Sequence, residues 1–390
     1  MKILFVNNYY HLFNNADCGA SVRSMRLIKA LANIGHVDVV SFVDNTVSNV
    51  PDVSVIYSRR VDSIPIIRSR SEHLRVLFQF HNPYTIYHPL QEKEKILDRI
   101  ISCHEYDLIV IRYIYYACEC GVLKYAKKLI IDIDDDPKQV ALMSLNKNEC
   151  LIKRIYWRLY ANAIDRMSRY VMRMVKGAFY STPNMNYENA CLLPNISIFQ
   201  RSLPPPVFDD KCRTILIVGW FKYTPNKEGL HHFITKIFPQ IKSSVPNAVL
   251  NVVGKIEDDN LIKLCQITDG VNMKGFVDNL EDLYSNCNCV VVPIYKGTGT
   301  SVKLVEAMSL GRAVVSSPCG ARGLNSAFVA NKDFYLAESD SEFACKVVYL
   351  LTHPKENIAM AKEAYGKIRL YYSEEKFNSV VLSEIMSKRI

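Results

Sequence analysis

The sequence predicts an α/β protein with two successive Rossmann-like domains that face each other across an interdomain cleft. Short apolar runs alternate with helical segments and glycine-bearing loops, as in doubly wound parallel sheets, and this alternation occurs twice along the chain. The two series are separated by Ser202-Leu-Pro-Pro-Pro-Val-Phe-Asp-Asp-Lys211, whose prolines are typical of a linker. We therefore expect a first domain over residues 1–205 and a second over residues 206–370. The 390 residues suffice for two cores.

Composition limits the functional classes. With 49% hydrophobic and 22% charged residues, the chain resembles a globular protein, and a net charge of +9 favours anionic partners such as nucleotide phosphates, an anionic membrane or nucleic acid. Only the net charge favours nucleic acid as a partner, because the sequence contains no recognisable nucleic-acid-binding module. The run at residues 2–6 is too short for a signal-peptide core, and no segment is long and apolar enough to span a bilayer.

The cysteines predict structural thiols rather than a metal site. The chain has twelve cysteines, including the Cys-x-Cys motifs Cys118/Cys120 and Cys287/Cys289. Neither motif has the Cys-x-x-Cys spacing of a usual zinc half-site. We expect reduced thiols in a cytoplasmic protein, with no metal ligands among them.

In the first domain, strand candidates occupy residues 2–6, 37–43, 107–112, 128–132 and 177–181, and a helix runs from Gly19 to about Asn33. Gly19 can bring backbone amides to a phosphate or can simply start the helix, since no GxGxxG motif surrounds it. Acids cluster at Asp132, Asp134, Asp135 and Asp136, at the carboxyl end of a strand, where α/β folds place ligands. We expect at least one of them to be functional, and one, such as Asp136 before Pro137, to cap a helix.

Two basic segments interrupt or follow this pattern. Residues 59–89 mix arginines with aromatic residues, which fits either a substrate surface or a solvated helical hairpin. Residues 151–176 form a basic amphipathic helix, which can lie on an anionic membrane or expose a solvated basic face. Its arginines are Arg154, Arg158, Arg166, Arg169 and Arg173.

In the second domain the expected strands are residues 214–219, 249–253, 271–276, 289–292 and 313–316. The expected helices are residues 227–243, 259–267 and 280–285. A final amphipathic helix over residues 371–390 is expected to pack back onto the first domain.

The most informative stretch follows the strand at residues 289–292. Gly297 and Gly299 permit a tight turn, and Thr300 or Ser301 can cap a helix that begins near Val302. Unpaired amides and the positive helix end then converge on a site suited to phosphate. Lys303 and Glu306 lie on one face of this helix, where they suit a diphosphate and sugar hydroxyls. The alternative is an ordinary strand-to-helix turn with a solvated Lys/Glu pair.

Several motifs, in this order and spacing, resemble the retaining GT-B glycosyltransferases, and glycosyltransferase family 4 in particular. They are Pro194-Asn195, Val218-Gly-Trp-Phe-Lys-Tyr-Thr-Pro-Asn226, Asn251-Val-Val-Gly254, Gly275-Phe-Val-Asp278, and Lys303 with Glu306-Ala-Met. The resemblance is strongest over residues 214–324 and continues more weakly, with consistent topology, through the first domain.

The resemblance implies retaining transfer of a sugar from a UDP- or GDP-type nucleotide sugar to a glycan or lipid-linked acceptor, in surface polysaccharide or glycoconjugate synthesis. It implies no cofactor besides the nucleotide-sugar co-substrate. We expect no metal requirement, because the second domain has no Asp-x-Asp metal motif. We also expect a cytoplasmic enzyme that can be peripheral on the inner face of the membrane. The donor-binding residues would be Gly19, Lys222, Lys227, Phe276, Val277, Thr298, Gly299, Thr300, Ser301 and Glu306, with Asp134, Asp135 and Lys303 as catalytic residues.

In this assignment, Lys303 and the amides of residues 298–301 stabilise the leaving diphosphate. Glu306 holds the ribose, backbone at Phe276 and Val277 holds the base, and Asp134 or Asp135 faces the sugar or acceptor. One departure from the family pattern is Thr298, where the family commonly has a glutamate that contacts the donor sugar. Two alternatives stay open: a GT-B nucleotide-sugar epimerase and a catalytically degenerate membrane-associated scaffold.

Overall fold

A computed structural model describes residues 1–13, 19–44, 46–62, 88–143, 150–183, 185, 187–209, 211–277, 279–297 and 300–388. They form two compact units. One unit comprises Met1–Pro194 and Phe377–Ile390, and the other comprises Asn195–Lys376. The division falls before the proline-rich stretch because that stretch is bonded to the second unit. The Leu203 N–H donates to the Leu310 carbonyl, and Arg201 pairs with Glu281 at 2.8 Å.

The first unit contains a seven-stranded parallel sheet in the order β3-β2-β1-β4-β5-β6-β7. The strands are β1 (Lys2–Asn7), β2 (His36–Ser41), β3 (Val53–Ser58), β4 (Leu108–Arg112), β5 (Leu129–Asp134), β6 (Gly177–Tyr180) and β7 (Ala190–Leu192). The central strands are buried and strongly apolar, because helices cover a parallel sheet on both faces.

The described helices of this unit before the return segment are α1 (Gly19–Ala32), α2 (Gln91–Cys103), α3 (Ile114–Glu119), α4 (Pro137–Leu142) and α5 (Leu151–Met174), and a 3-10 segment covers Val122–Lys128. Asp136 caps α4 as the sequence predicted: its side chain accepts from the Lys138 N–H at 2.9 Å, and Pro137 opens the helix. The interpretation of residues 59–89 falls almost entirely outside the described residues.

The second unit has a six-stranded parallel sheet in the order β10-β9-β8-β11-β12-β13. Its strands are β8 (Arg213–Val218), β9 (Ala248–Val253), β10 (Val271–Gly275), β11 (Cys289–Val292), β12 (Val314–Ser316) and β13 (Tyr335–Leu336). The described helices are α6 (Thr224–His232), α7 (Phe238–Ser244), α8 (Asp259–Ile267), α9 (Leu280–Ser285), α10 (Val302–Ser309), α11 (Asp340–Thr352) and α12 (Pro354–Tyr371).

The single helix predicted over residues 227–243 is divided. A π-helical segment over Phe233–Ile237 separates α6 from α7. Pro239 follows at the first turn of α7, and its missing N–H removes one bond of the regular α-helical ladder at this point.

The last helix, α13 (Glu374–Ser387), returns to the first unit, as the sequence predicted. Lys388, just beyond it, donates to the side-chain oxygen of Asn189 at 2.7 Å. Buried Phe377, Val381 and Ile385 recur every four residues and give the helix its apolar face.

Candidate functional site

The second sheet reverses its strand order between β8 and β11, and ligands of open α/β sheets bind at the carboxyl ends of such strands. Main chain packs directly on main chain around this edge. A Cβ on Gly254, which has φ +126°, would overlap the Gly219 carbonyl oxygen, and a Cβ on Gly229 would overlap the Pro293 carbonyl oxygen. The loops after β8, β9 and β11 can approach this closely only because glycine lacks a side chain.

Lys303 lies at this edge, one residue into α10. Its ammonium donates to Asn226 Oδ1 at 3.1 Å, and Asn226 Nδ2 donates to the Trp220 carbonyl at 2.8 Å. A Cβ on Gly219 would stand 3.4 Å from Lys303 Cε, so the lysine stem passes over the bare backbone of that glycine. Asn226 therefore orients Lys303 across the loop that follows β8.

The charge of Lys303 is destabilised by its surroundings. Desolvation lowers the pKa of Lys303, and the nearby Arg322 guanidinium lowers it further, whereas Glu306 opposes both. Burial also raises the pKa of Tyr284 well above its usual range, and the Glu306 carboxylate contributes. An anion beside Lys303 would relieve this electrostatic cost.

The start of α10 differs in one detail from the prediction. The helix begins at Val302 after Ser301, but the Ser301 side chain makes no capping hydrogen bond, and Thr300 Oγ1 donates to the Gly323 carbonyl at 3.4 Å. The expectation that one of these hydroxyls caps the helix is therefore wrong, because Thr300 turns toward Gly323 and Ser301 does not reach the first-turn amides. Those amides receive no cap from Ser301, which leaves them suited to a ligand anion.

Arg322 is a cation that the sequence interpretation did not select. A Cβ on Gly297 would stand 2.7 Å from its Nη2 atom, so the guanidinium lies against the loop that leads into α10. Arg322 Nη1 donates to the Cys319 carbonyl at 2.9 Å, which fixes the side chain. No local pattern pointed to Arg322 because its position depends on the turn after β12.

The other described residues predicted to bind the donor lie at the exposed rim of this site. Lys222 pairs with Glu257 at 3.4 Å and Lys227 with Asp258 at 3.2 Å, in exposed or half-exposed positions. Phe276 is 80% exposed just after β10, and Val277 beside it is half-buried. Thr298 and Gly299 lie outside the described residues.

In the first unit, the acidic cluster forms a buried ionic network instead of an open set of carboxylates. Asp132, fully buried, accepts from Arg23 Nε at 2.8 Å, Arg23 Nη2 at 2.7 Å and Arg112 Nε at 2.8 Å. Asp134 is also nearly buried and accepts from Arg112 Nη2 at 2.5 Å. Strand β5 therefore extends through Asp134, beyond the predicted end at residue 132, because two arginines neutralise its acids.

This network also holds the beginning of α1. Arg112 donates to the Ala20 carbonyl and to Ser24 Oγ. Burial alone would lower the pKa of Arg23, but attraction to Asp132 and Asp134 outweighs burial and raises it. Both arginines stay charged, so the network is a permanent feature of the fold.

Gly19 and Asp135 complete the predicted first-domain residues. Gly19 is exposed at the start of α1, and a Cβ there would meet no atom within 4 Å, so its surroundings are open. Asp135 is half-buried between the ionic network and the capping residue Asp136. The structure thus separates the acids into buried Asp132 and Asp134, half-buried Asp135 and the helix cap Asp136.

The paired cysteines of the sequence are buried, free thiols. Burial raises the pKa of Cys118, Cys120, Cys287 and Cys289. The thiol form is therefore favoured over the thiolate that binds metals. Within the described residues no group of three or more potential ligands is arranged to hold a metal ion, and no described helix combines the length and apolar character needed to cross a membrane.

Comparison with known proteins identifies the fold. Residues 212–353 match the family model described as glycosyl transferases group 1. The chain is 22% identical over 386 residues to an uncharacterized 44.6 kDa protein in the cps region of Klebsiella pneumoniae, covering 95% of this chain and 96% of the relative.

Solved structures extend the likeness to the whole chain. Sucrose-phosphate synthase from Thermosynechococcus elongatus superimposes with a TM-score of 0.70 at 15% identity, covering 99% of this chain and 98% of that one. Anabaena Alr3699/HepE in complex with UDP and glucose gives a TM-score of 0.64 at 13% identity, covering 99% and 100%. The chain therefore has the two-domain GT-B fold, and residues 212–353 of its second unit match the glycosyl transferases group 1 model.

Proposed function

We propose that this protein transfers a sugar from a nucleoside diphosphate sugar to a glycan or lipid-linked acceptor in surface polysaccharide or glycoconjugate synthesis. The observation that carries the proposal is Lys303, which Asn226 holds over Gly219 at the uncapped start of α10, with Glu306 one turn further on. The family match of the second unit supports it. So do the cps-region origin of the Klebsiella relative and the UDP and glucose bound by HepE.

The donor's diphosphate would bind at the start of α10. Negative charge grows on the leaving diphosphate as its bond to the sugar breaks, and preorganised donors stabilise that charge. Lys303 and the amides at residues 298–301 would supply this stabilisation. Glu306 would accept hydrogen bonds from the ribose, backbone around Phe276 and Val277 would hold a uracil or guanine, and Lys222 or Lys227 would add positive charge at the rim.

On the first unit, we propose that Gly19 approaches the diphosphate and that Asp135 faces the transferred sugar or the acceptor. Asp134 is the less suitable acid, because its carboxylate is bound to Arg112 and its exposure is small. We also propose retention of the anomeric configuration, on the family resemblance. Product NMR would test retention, since the coupling constant of the anomeric proton distinguishes the two outcomes.

We propose that the reaction needs no metal ion, because Lys303 and the helix start provide cationic stabilisation of the diphosphate. Transfer should therefore continue at an unchanged rate after exhaustive treatment with a chelator. Activity that is lost on chelation and restored by manganese would overturn this part of the proposal.

The first test is a thermal-shift panel of uridine, guanosine and adenosine diphosphates and their sugars. A ligand at about a hundred times its dissociation constant adds about 2.7 kcal/mol of stability, and one base should stand out. Glu306→Ala should lose most of that gain, whereas Glu363→Ala, on the exposed surface of α12, should keep it. No stabilisation by any nucleotide would favour the scaffold, and epimerised donor in the absence of acceptor would favour the epimerase.

We further propose that α5 rests on an anionic membrane surface. None of its residues 151–160 is buried, and Ile152 is 79% exposed. Exposed Leu151, Ile155 and Leu159 recur every four residues, and Arg166, Arg169 and Arg173 continue the same face. The exposed face of α5 thus carries apolar residues in its first part, the apolar half, and arginines in its second part, the basic half, so it offers apolar and basic contacts to an anionic membrane surface.

The two halves differ in how their charges are used. Arg169 pairs with Asp165 at 3.3 Å and Arg173 with Glu188 at 3.0 Å, which partly neutralises the basic half. In the apolar half, Lys153 and Arg158 make no ion pair among the described residues, and the helix has no acid before Asp165. The apolar half is therefore the stronger candidate for insertion among anionic headgroups.

Sedimentation with phosphatidylglycerol vesicles tests this contact. Ile152→Glu with Ile155→Glu should abolish binding, and Arg166→Glu, Arg169→Glu and Arg173→Glu together should weaken it. Neutral phosphatidylcholine vesicles should bind poorly throughout. Equal binding by wild type and both variants would remove α5 from the proposal.

A further inference from the structure

Tyrosines gather at the carboxyl edge of the first sheet, where its strand order reverses between β1 and β4. They are Tyr9 and Tyr10 after β1, and Tyr113, Tyr115 and Tyr116 after β4. This reversal is the position at which open α/β sheets bind ligands. The first unit therefore presents aromatic rings where its topology predicts a ligand.

The rings form a supported platform. Tyr9 stacks on Tyr116, with ring centroids 6.3 Å apart and an interplanar angle of 23°, and Tyr115 lies 4.2 Å from Tyr116. Tyr116 is buried in the core, whereas Tyr9 is 62% exposed. The outermost ring is thus held in place by the rings beneath it and keeps most of its surface available.

The residue that precedes Tyr9 in the chain is a buried polar group. Asn8 is buried, and its Oδ1 accepts from Lys93 Nζ at 2.8 Å. Its Nδ2 has no hydrogen-bond partner within the described part of the chain. A buried amide without a partner is costly, and because this nitrogen has almost no exposed surface, a ligand stacked on Tyr9 is not expected to reach it.

The charges around the platform are already compensated. Arg112 is bound to Asp132 and Asp134, and Lys93 Nζ is bound to Glu119 at 2.5 Å. A phosphate would compete with these carboxylates for the same cations. The surroundings thus favour a neutral ligand that offers a flat apolar face and hydroxyl groups, and a pyranose ring has both.

We infer that Tyr9, supported by Tyr116, stacks against a pyranose ring of the saccharide acceptor. This inference rests on the proposed function, since it assigns the acceptor side of the same reaction. It makes Tyr9 a determinant of acceptor affinity and assigns it no contact with the donor nucleotide.

Saturation-transfer NMR tests the inference without knowledge of the natural acceptor. The probes are methyl pyranosides of glucose, galactose, mannose and N-acetylglucosamine. At least one pyranoside should receive saturation mainly at the ring protons of one face. Tyr9→Ala should raise the concentration of that pyranoside needed for half-maximal signal by about three- to ten-fold. Tyr9→Phe should keep the wild-type value, because the ring remains.

Matched controls separate this result from the donor site. Tyr349→Ala removes a surface tyrosine of the second unit that stacks on His353 at 4.0 Å, and it should change nothing. Glu306→Ala should also leave the pyranoside signal intact, which shows that the signal does not depend on the residue proposed to hold the donor ribose. No signal from any probe, or equal signals from wild type and Tyr9→Ala, would overturn the inference. The thermal-shift panel tests nucleotide binding separately, so its result does not depend on the outcome of the pyranoside experiment.

Discussion

The ionic network around Asp132 gives the sharpest prediction, because its outcome does not depend on substrate identity. Asp132→Asn keeps the size of the side chain but removes its charge, while Arg23 and Arg112 stay buried beside it. Three charge-assisted hydrogen bonds, at 2.7–2.8 Å, converge on the two carboxylate oxygens. An asparagine offers one oxygen and turns an amine toward a guanidinium, so at least one arginine donor loses its acceptor.

Breaking a buried ion pair on one side costs about 3–5 kcal/mol, because the other charge remains buried without compensation. A natural domain is stable by about 5–15 kcal/mol, so the variant should lose a large part of that margin. For a unit of this size the melting temperature should fall by about 6–20 °C, at about 2–4 °C per kcal/mol.

The two tryptophans allow the first unit to be followed alone. Trp157 lies in the first unit and Trp220 in the second, and the chain has no other. In a Trp220→Phe background, urea unfolding followed by fluorescence therefore reports the unit that contains Asp132. Glu188→Gln is the matched control, since it breaks the exposed pair with Arg173 and should cost less than about 1 kcal/mol. A loss of less than about 1 kcal/mol in Asp132→Asn would refute the reasoning.

Three further predictions concern the second unit. Because desolvation lowers the pKa of Lys303, its charge is lost at a lower pH than that of an ordinary lysine, so calorimetric affinity for UDP should fall as pH rises toward the usual lysine range. Lys303→Arg should flatten that slope, and parallel slopes would contradict the assignment. Asn226→Ala should weaken UDP binding by about ten- to a hundred-fold, equivalent to about 1.5–3 kcal/mol for a hydrogen bond to a charged group. The control Asn279→Ala, at an exposed turn, should bind UDP as the wild type does. Equal UDP affinities of the wild type and Asn226→Ala would contradict the role of Asn226 in positioning Lys303. Gly254→Ala should destabilise the second unit by more than about 1 kcal/mol and abolish stabilisation by nucleotides, because the new Cβ meets the Gly219 carbonyl. The control Gly366→Ala on α12 places its Cβ in open space and should be neutral or slightly stabilising. A stable Gly254→Ala variant that binds nucleotide would refute the close contact.

Local signals in the sequence predicted much of the fold. Helices α8 and α9 have the predicted bounds, and α10 begins at the predicted Val302. Each is bounded by polar or turn residues and has its own apolar positions, so nearby residues determine where it starts and ends. The two parallel sheets also follow from the repeated alternation of apolar runs and helices.

Contacts between residues far apart in sequence could not be predicted from such local signals. Arg23 reaches Asp132 across 109 positions, and Lys303 reaches Asn226 across 77. No helical or strand periodicity connects residues at that separation. The acids at the end of β5 were correctly recognised as a cluster at a strand end, but the two arginines that neutralise Asp132 and Asp134 decided which acids stayed accessible.

The glycine contacts at the second sheet have a consequence for how this protein can diversify. Gly254 packs on the carbonyl oxygen of Gly219, and Gly229 packs on that of Pro293, so the frame of the candidate donor site does not depend on side chains at these two contacts. The rim positions Lys222 and Phe276 are exposed and carry none of that packing. Under the proposed function, replacements at the rim can therefore alter which nucleotide sugar is accepted while the frame of the candidate donor site stays the same.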